Sequence, residues 1–158
     1  TLNTLIGAIP GALPPVIGWT AIRGTFGPEA VAIFVILLLW QLPHFLAIAW
    51  IYRDDYGRAG LRMVPVADPT GSETSRKMVG FCAAVVLASV APVVLAGAGM
   101  IYLSGAMLLG GLFLASTLEF SREPSTAAAR LALRASLLYL PLLLALLLLD
   151  SWATSLIS

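Results

Sequence analysis

Five apolar runs, each about as long as the hydrocarbon core of a bilayer requires, limit this chain more than any other feature. A core of about 30 Å takes roughly 20 residues of α-helix. The runs fall near residues 2–22, 28–52, 78–97, 100–118 and 132–149. Backbone N–H and C=O groups in lipid must be satisfied within the protein, which leaves helices or closed barrels. These runs are continuous and do not alternate, so the predicted fold is all-α. It is a polytopic transmembrane helical bundle of five helices, forming one unit over residues 1–158. Composition agrees: the chain is 59% hydrophobic and 11% charged, with a mean hydropathy of +0.96. Ordinary water-soluble domains do not carry such values. The expected surroundings are a lipid bilayer, and nothing points to nucleic acid.

Prolines and glycines punctuate the runs. Pro10, Pro14 and Pro15 break the first, which is expected to be kinked or partly unwound. Pro28 suits a first helical turn, and Pro43 should kink the second helix. Residues 53–77 form a long polar connection holding Gly57, Gly60, Pro65, Pro69 and Gly71, with a turn at Asp68-Pro69-Thr70-Gly71. Ser125 or Thr126 is placed to cap the last helix. Cys82 is alone in an apolar run and reads as a packing residue. Trp50 and Trp152 fit an interfacial aromatic belt, and Trp40 lies deeper. The chain starts Thr-Leu-Asn-Thr, without Met or a signal peptide, and is expected to begin partway through a larger protein.

The basic residues are lopsided. Arg53, Arg58, Arg62, Arg76 and Lys77 lie in the long connection, and Arg122, Arg130 and Arg134 in or beside the connection near residues 119–130. Only Arg23 falls on the other side. Positive charge marks cytoplasmic loops, so loop 53–77 is predicted to be cytoplasmic and the C-terminus outside.

Polar groups in hydrocarbon are expensive and usually functional. Trp40-Gln41-Leu42-Pro43-His44-Phe45 puts the single histidine inside an apolar segment. On an ideal helix Gln41, His44, Ile48 and Asp55 share a sector of about 60°, with His44 about 16 Å from Asp55, if the helix continues past Tyr52. That suits an elongated cavity with a charged mouth. A structural His44 that hydrogen-bonds a neighbouring helix is the other reading. Arg53-Asp54-Asp55-Tyr56-Gly57-Arg58 also has two readings. The carboxylates can share Mg²⁺ with a diphosphate and the arginines can clamp its oxygens. Alternatively, the cluster is a solvated loop that obeys the topology rule.

Three stretches then resemble one family. Asn3-Thr4 followed by Gly7-Ala8-Ile9-Pro10-Gly11-Ala12-Leu13-Pro14-Pro15, then Trp40 to Phe45, then Tyr52-Arg53-Asp54-Asp55-Tyr56-Gly57-Arg58-Ala59-Gly60-Leu61-Arg62-Met63, are similar in the same order to protohaem IX farnesyltransferases. The resemblance is close from Asn3 to about Pro69. It implies the intramembrane aromatic prenyltransferase superfamily, nine helices around a central cavity, with this chain as helices five to nine. The implied reaction joins farnesyl from farnesyl diphosphate to a vinyl group of haem B, giving haem O and diphosphate, for the haems of terminal oxidases. The implied catalytic residues are Asp54, Asp55 and Arg53. The implied substrate-binding residues are Arg58, Arg62, Tyr56, His44, Gln41 and Asn3, with His44 on the haem side. Asp54 and Asp55 would hold Mg²⁺ through the diphosphate. Here they are adjacent, and Arg58 stands four residues after Asp54, which favours a phosphate clamp by Arg53 and Arg58. A first Asp-rich loop has no counterpart in these residues, so the chain alone is expected to be inactive. The setting implied is the cell membrane, with haem A synthase as a partner. The alternatives are a transporter-type bundle, suggested by the broken first helix and His44, and a non-catalytic membrane subunit.

Overall fold

A computed structural model describes residues 2–155, with side chains described from 7 to 153. The described residues form helices and no strand: α1 (Leu2–Arg23), α2 (Pro28–Ile51), α3 (Arg53–Arg58), α4 (Val64–Ala67), α5 (Ser72–Ala88), α6 (Ala91–Ala96), α7 (Met100–Arg122) and α8 (Thr126–Ser155). Four spans among them are long and apolar enough to cross a membrane: α2, α5 with α6, α7, and α8 as far as Ala153. The chain is a multi-pass helical membrane protein. The expected crossing by the first run is α1, whose first side chains lie outside the described residues.

The centre of the arrangement is α2. It packs against α1 on one flank and against α5, α6 and α8 on the others, while α7 and α8 pair with each other. One core cluster gathers Ile36, Cys82, Val85, Tyr102, Phe113 and Tyr139. A second, near the charged end, gathers Leu46, Trp50, Met78, Phe120 and Ala129. Cys82 is fully buried, as a packing residue should be.

Several helix ends differ from the sequence reading. The long connection is not an irregular loop over 53–77: α3 and α4 fold within it, and α5 begins at Ser72, ahead of residue 78. The Asp68 carboxylate causes the early start. It accepts the Thr74 N–H at 2.8 Å and the Thr74 hydroxyl at 2.9 Å, and so holds the first turn of α5. Burial by itself would raise the Asp68 carboxyl. The hydrogen bonds from Thr74 and Thr70 outweigh that and hold it below its usual range. Ser125 accepts the Ala128 N–H at 3.1 Å and starts α8 at Thr126, ahead of residue 132.

The third run breaks between α5 and α6, where Pro92 has no N–H to offer. The break releases the Ser89 carbonyl, and the Tyr102 hydroxyl donates to it at 2.9 Å. In the first run the expected unwinding is absent, since α1 is helical through Pro10, Pro14 and Pro15. A close seat on α2 holds it. Ala8 and Ala12 are buried, and a Cβ at Gly11 would collide with the Gln41 amide oxygen.

Candidate functional site

The charged end of the bundle carries α3, none of whose residues is buried. The α2 helix stops at Ile51, Tyr52 takes a turn conformation, and α3 restarts at Arg53. A straight-helix register therefore does not carry from His44 to Asp55. The side chains of the cluster are exposed or half-buried. The Arg53 guanidinium lies over the Trp50 indole, 4.4 Å from the ring centroid. Trp50 is 2% exposed and meets Phe120 edge-on at 5.0 Å. Trp50 is thus not an interfacial belt residue. It is a buried platform that fixes one arginine, worth about 0.5–2 kcal/mol as a cation–π contact. The sequence reading missed this role because Phe120 lies 70 residues away in the chain.

The two carboxylates differ. Asp55 is paired with Arg58 one helical turn on. Asp54 has a side chain 92% exposed and only a loose 3.9 Å contact with the Arg53 Nε. Tyr56 is half-buried, and Arg62 is exposed just beyond α3. The side chain of Asn3 lies outside the described residues. Among the described residues, no three His, Cys, Asp or Glu side chains stand close enough to hold a metal by themselves. A cation held by Asp54 or Asp55 would need further oxygens from a ligand.

Gln41 and His44 do not share a partner. Gln41 is buried and donates to the Ala8 carbonyl of α1 and to Leu37 of its own helix, each at 3.2 Å. His44 turns to α8, where Nδ1 meets the Ser136 hydroxyl at 2.8 Å, and its ring stacks on Trp40 with centroids 4.8 Å apart. Trp40 Nε1 donates to the Ser136 carbonyl at 2.8 Å. The Ser136 hydroxyl donates its single proton to the Leu133 carbonyl at 2.7 Å. With that proton on the Leu133 carbonyl, the Ser136 oxygen accepts from His44 Nδ1–H and Nε2 keeps its lone pair; with the proton turned to Nδ1 the roles reverse. The charged end thus presents arginines beside carboxylates, and the span behind it carries an imidazole held between Ser136 and Trp40.

Between α2, α7 and α8 the apolar space is almost closed, about 10 Å³ lined by residues such as Ile36, Tyr102 and Leu143. The transporter-type reading drew on a broken first helix, and α1 is continuous.

Comparisons with known proteins agree on one family. The UbiA prenyltransferase family matches residues 1–140. The chain is 50% identical over 93% of its length to the protoheme IX farnesyltransferase of Koribacter versatilis, covering 50% of that protein. It is 47% identical over 94% of its length to that of Solibacter usitatus, covering 51%. For Salinibacter ruber the values are 48%, 94% and 52%. The chain spans about half the length of these curated relatives. No solved structure matches it.

Proposed function

The chain belongs to the UbiA prenyltransferase family, and from that premise we propose that it is the C-terminal part of an enzyme that transfers farnesyl from farnesyl diphosphate to a vinyl group of protohaem IX. Water is the third reactant: as the new C–C bond forms at one vinyl carbon, water adds its oxygen to the other and gives up a proton, so the products are haem O and diphosphate, made in the cell membrane, with haem A synthase as a partner. The names of its relatives support the reaction. The observation that carries the reading is the surface cluster of α3, where two arginines and two carboxylates meet at the end of the membrane spans.

Breaking the allylic C–O bond leaves negative charge on the diphosphate. Arg53, held on Trp50, and Arg58 donate to its oxygens and stabilise that charge. Mg²⁺ takes one or two carboxylates plus phosphate oxygens, and the exposed Asp54 fits that role better than Asp55, which Arg58 engages. When bound, the ion adds positive charge at the leaving group. Tyr56, within α3, and Arg62, just beyond it, would add to the substrate contacts. His44 offers Nε2 to haem, whose iron commonly accepts imidazole. Gln41 acts by seating α1 on α2.

Arg53→Ala and Arg58→Ala in the active enzyme should each raise KM for farnesyl diphosphate or lower kcat ten-fold or more, about 1.4 kcal/mol. Wild-type kinetics in both variants would leave the arginines with a topological role only. His44→Ala should weaken haem binding, read from the Soret band, with farnesyl diphosphate binding nearly unchanged. Loss of both ligands together with thermal stability would make His44 a structural tie to α8.

The orientation is the remaining element of the proposal. Both basic connections lie at one end of the bundle, since Trp50 meets Phe120 and Gly71 lies against Pro124. That end is cytoplasmic by the charge rule, and the C-terminus is outside. A cysteine at the exposed Ala59 should resist impermeant thiol reagents in intact cells and react once the membrane is opened. Labelling in intact cells reverses the orientation.

A further inference from the structure

Two aromatic rings of α2 share one residue of α8. A serine inside a membrane span can satisfy its hydroxyl by donating to a carbonyl of the preceding turn, as Ser116 of α7 does with Phe113. Ser136 bonds the Leu133 carbonyl in the same way, so α8 needs nothing further from it. Yet its Oγ also meets His44 Nδ1 at 2.8 Å, and its backbone carbonyl accepts from Trp40 Nε1 at 2.8 Å. Ser136 is fully buried, so a ligand does not reach it directly.

Together these contacts leave the imidazole one free nitrogen. Trp40 covers one ring face with the planes 24° apart, and the Phe45 ring stands tilted at 5.7 Å. Nδ1 is engaged by Ser136 whichever of the two atoms carries the proton. Nε2 has no partner among the described residues, and it is not shut away as the partnerless Trp50 indole N–H is. A ligand therefore meets this ring at Nε2. An imidazole that donates its other N–H is fixed in orientation and made a more basic metal ligand. The Ser136 oxygen can accept that N–H because its own proton has the Leu133 carbonyl to go to.

We propose that Ser136 is a positioning residue. It aims His44 Nε2 at the iron of the haem substrate and acts only through that imidazole. The inference rests on the haem-side reading of His44 given above. It adds α8 to the haem site, through a residue that does not touch haem.

The test is titration of the full-length enzyme in detergent with haem B, read from the Soret band, and separately with farnesyl diphosphate. Ser136→Ala should weaken haem binding roughly ten-fold, the low end for a metal-bound imidazole that loses its hydrogen-bond partner. Farnesyl diphosphate binding should stay as in wild type. Ser116→Ala removes a buried hydroxyl of the same kind away from His44, and should bind haem as wild type. The His44→Ala, Ser136→Ala double variant should bind haem no more weakly than His44→Ala alone, since a residue that acts through His44 then has nothing to act on. A further loss in the double variant overturns the proposal, as does an equal loss in Ser116→Ala. Loss of both ligands in Ser136→Ala makes the hydroxyl structural and overturns it too. Haem affinity lowered by His44→Ala but unchanged by Ser136→Ala overturns it while the haem-side reading of His44 stands. Haem affinity unchanged by His44→Ala removes that reading itself, and the role of Ser136 with it.

Discussion

Asp150→Ala should lower stability by about 2–6 kcal/mol, because two backbone N–H groups lose a buried acceptor at roughly 1–3 kcal/mol each. Asp150 is 3% exposed near the end of α8, and its carboxylate accepts from Gly99 N at 2.6 Å and from Tyr102 N at 3.2 Å. It therefore caps the first turn of α7 from another helix, and its charge also complements that helix terminus. Around a membrane-embedded helix end, water is a poor substitute. Asp150→Asn retains one carbonyl acceptor and should lose clearly less. Denaturant unfolding in detergent, followed by far-UV circular dichroism, measures both. Equal stability of Ala and wild type would remove the cap from the account.

Gly71→Val should be comparably damaging, roughly 2–5 kcal/mol, since a left-handed backbone costs about 1–2 and overpacking another 1–3. Gly71 has φ +76°, and a Cβ there would come within 2.6 Å of Pro124 and 2.8 Å of Trp50. Gly60 supplies the control. Its φ is +71°, but nothing lies within 4 Å of an added Cβ, so Gly60→Val should show the backbone part alone. Thermal midpoints of the two variants in one detergent separate conformation from packing. Matching losses would mean that the contact with Trp50 and Pro124 is immaterial.

The membrane class and the later spans were legible because lipid imposes a length and an apolar composition that any sequence must display. Helix ends were not, because hydropathy reports where hydrocarbon stops and not where hydrogen bonding stops. Ser72 to Lys77 are polar and yet helical, held by Asp68, and Thr126 to Leu131 extend α8 from a Ser125 cap. The charged cluster was visible as local composition. Its internal order was not: Asp55 with Arg58 is a one-turn pairing, but Arg53 on Trp50 needs Phe120 to hold the indole. Gln41 and His44 share one sector of an ideal helix. Their partners, Ala8 and Ser136, stand on opposite sides of the chain's order, so periodicity could not assign them.

The stacking of Arg53 on Trp50 bears on the thermodynamics of anion capture. A free arginine side chain holds about 2 kcal/mol of rotamer entropy. Arg58 is exposed and tied only to Asp55, so in the proposed capture of diphosphate it would have to exchange that partner and lose motion as well. The Arg53 guanidinium already lies on a ring that the bundle immobilises through Phe120, so little motion remains to be lost. In the proposed capture of diphosphate, association at Arg53 would be correspondingly less opposed by entropy, and its share of affinity should fade less on warming than that of Arg58.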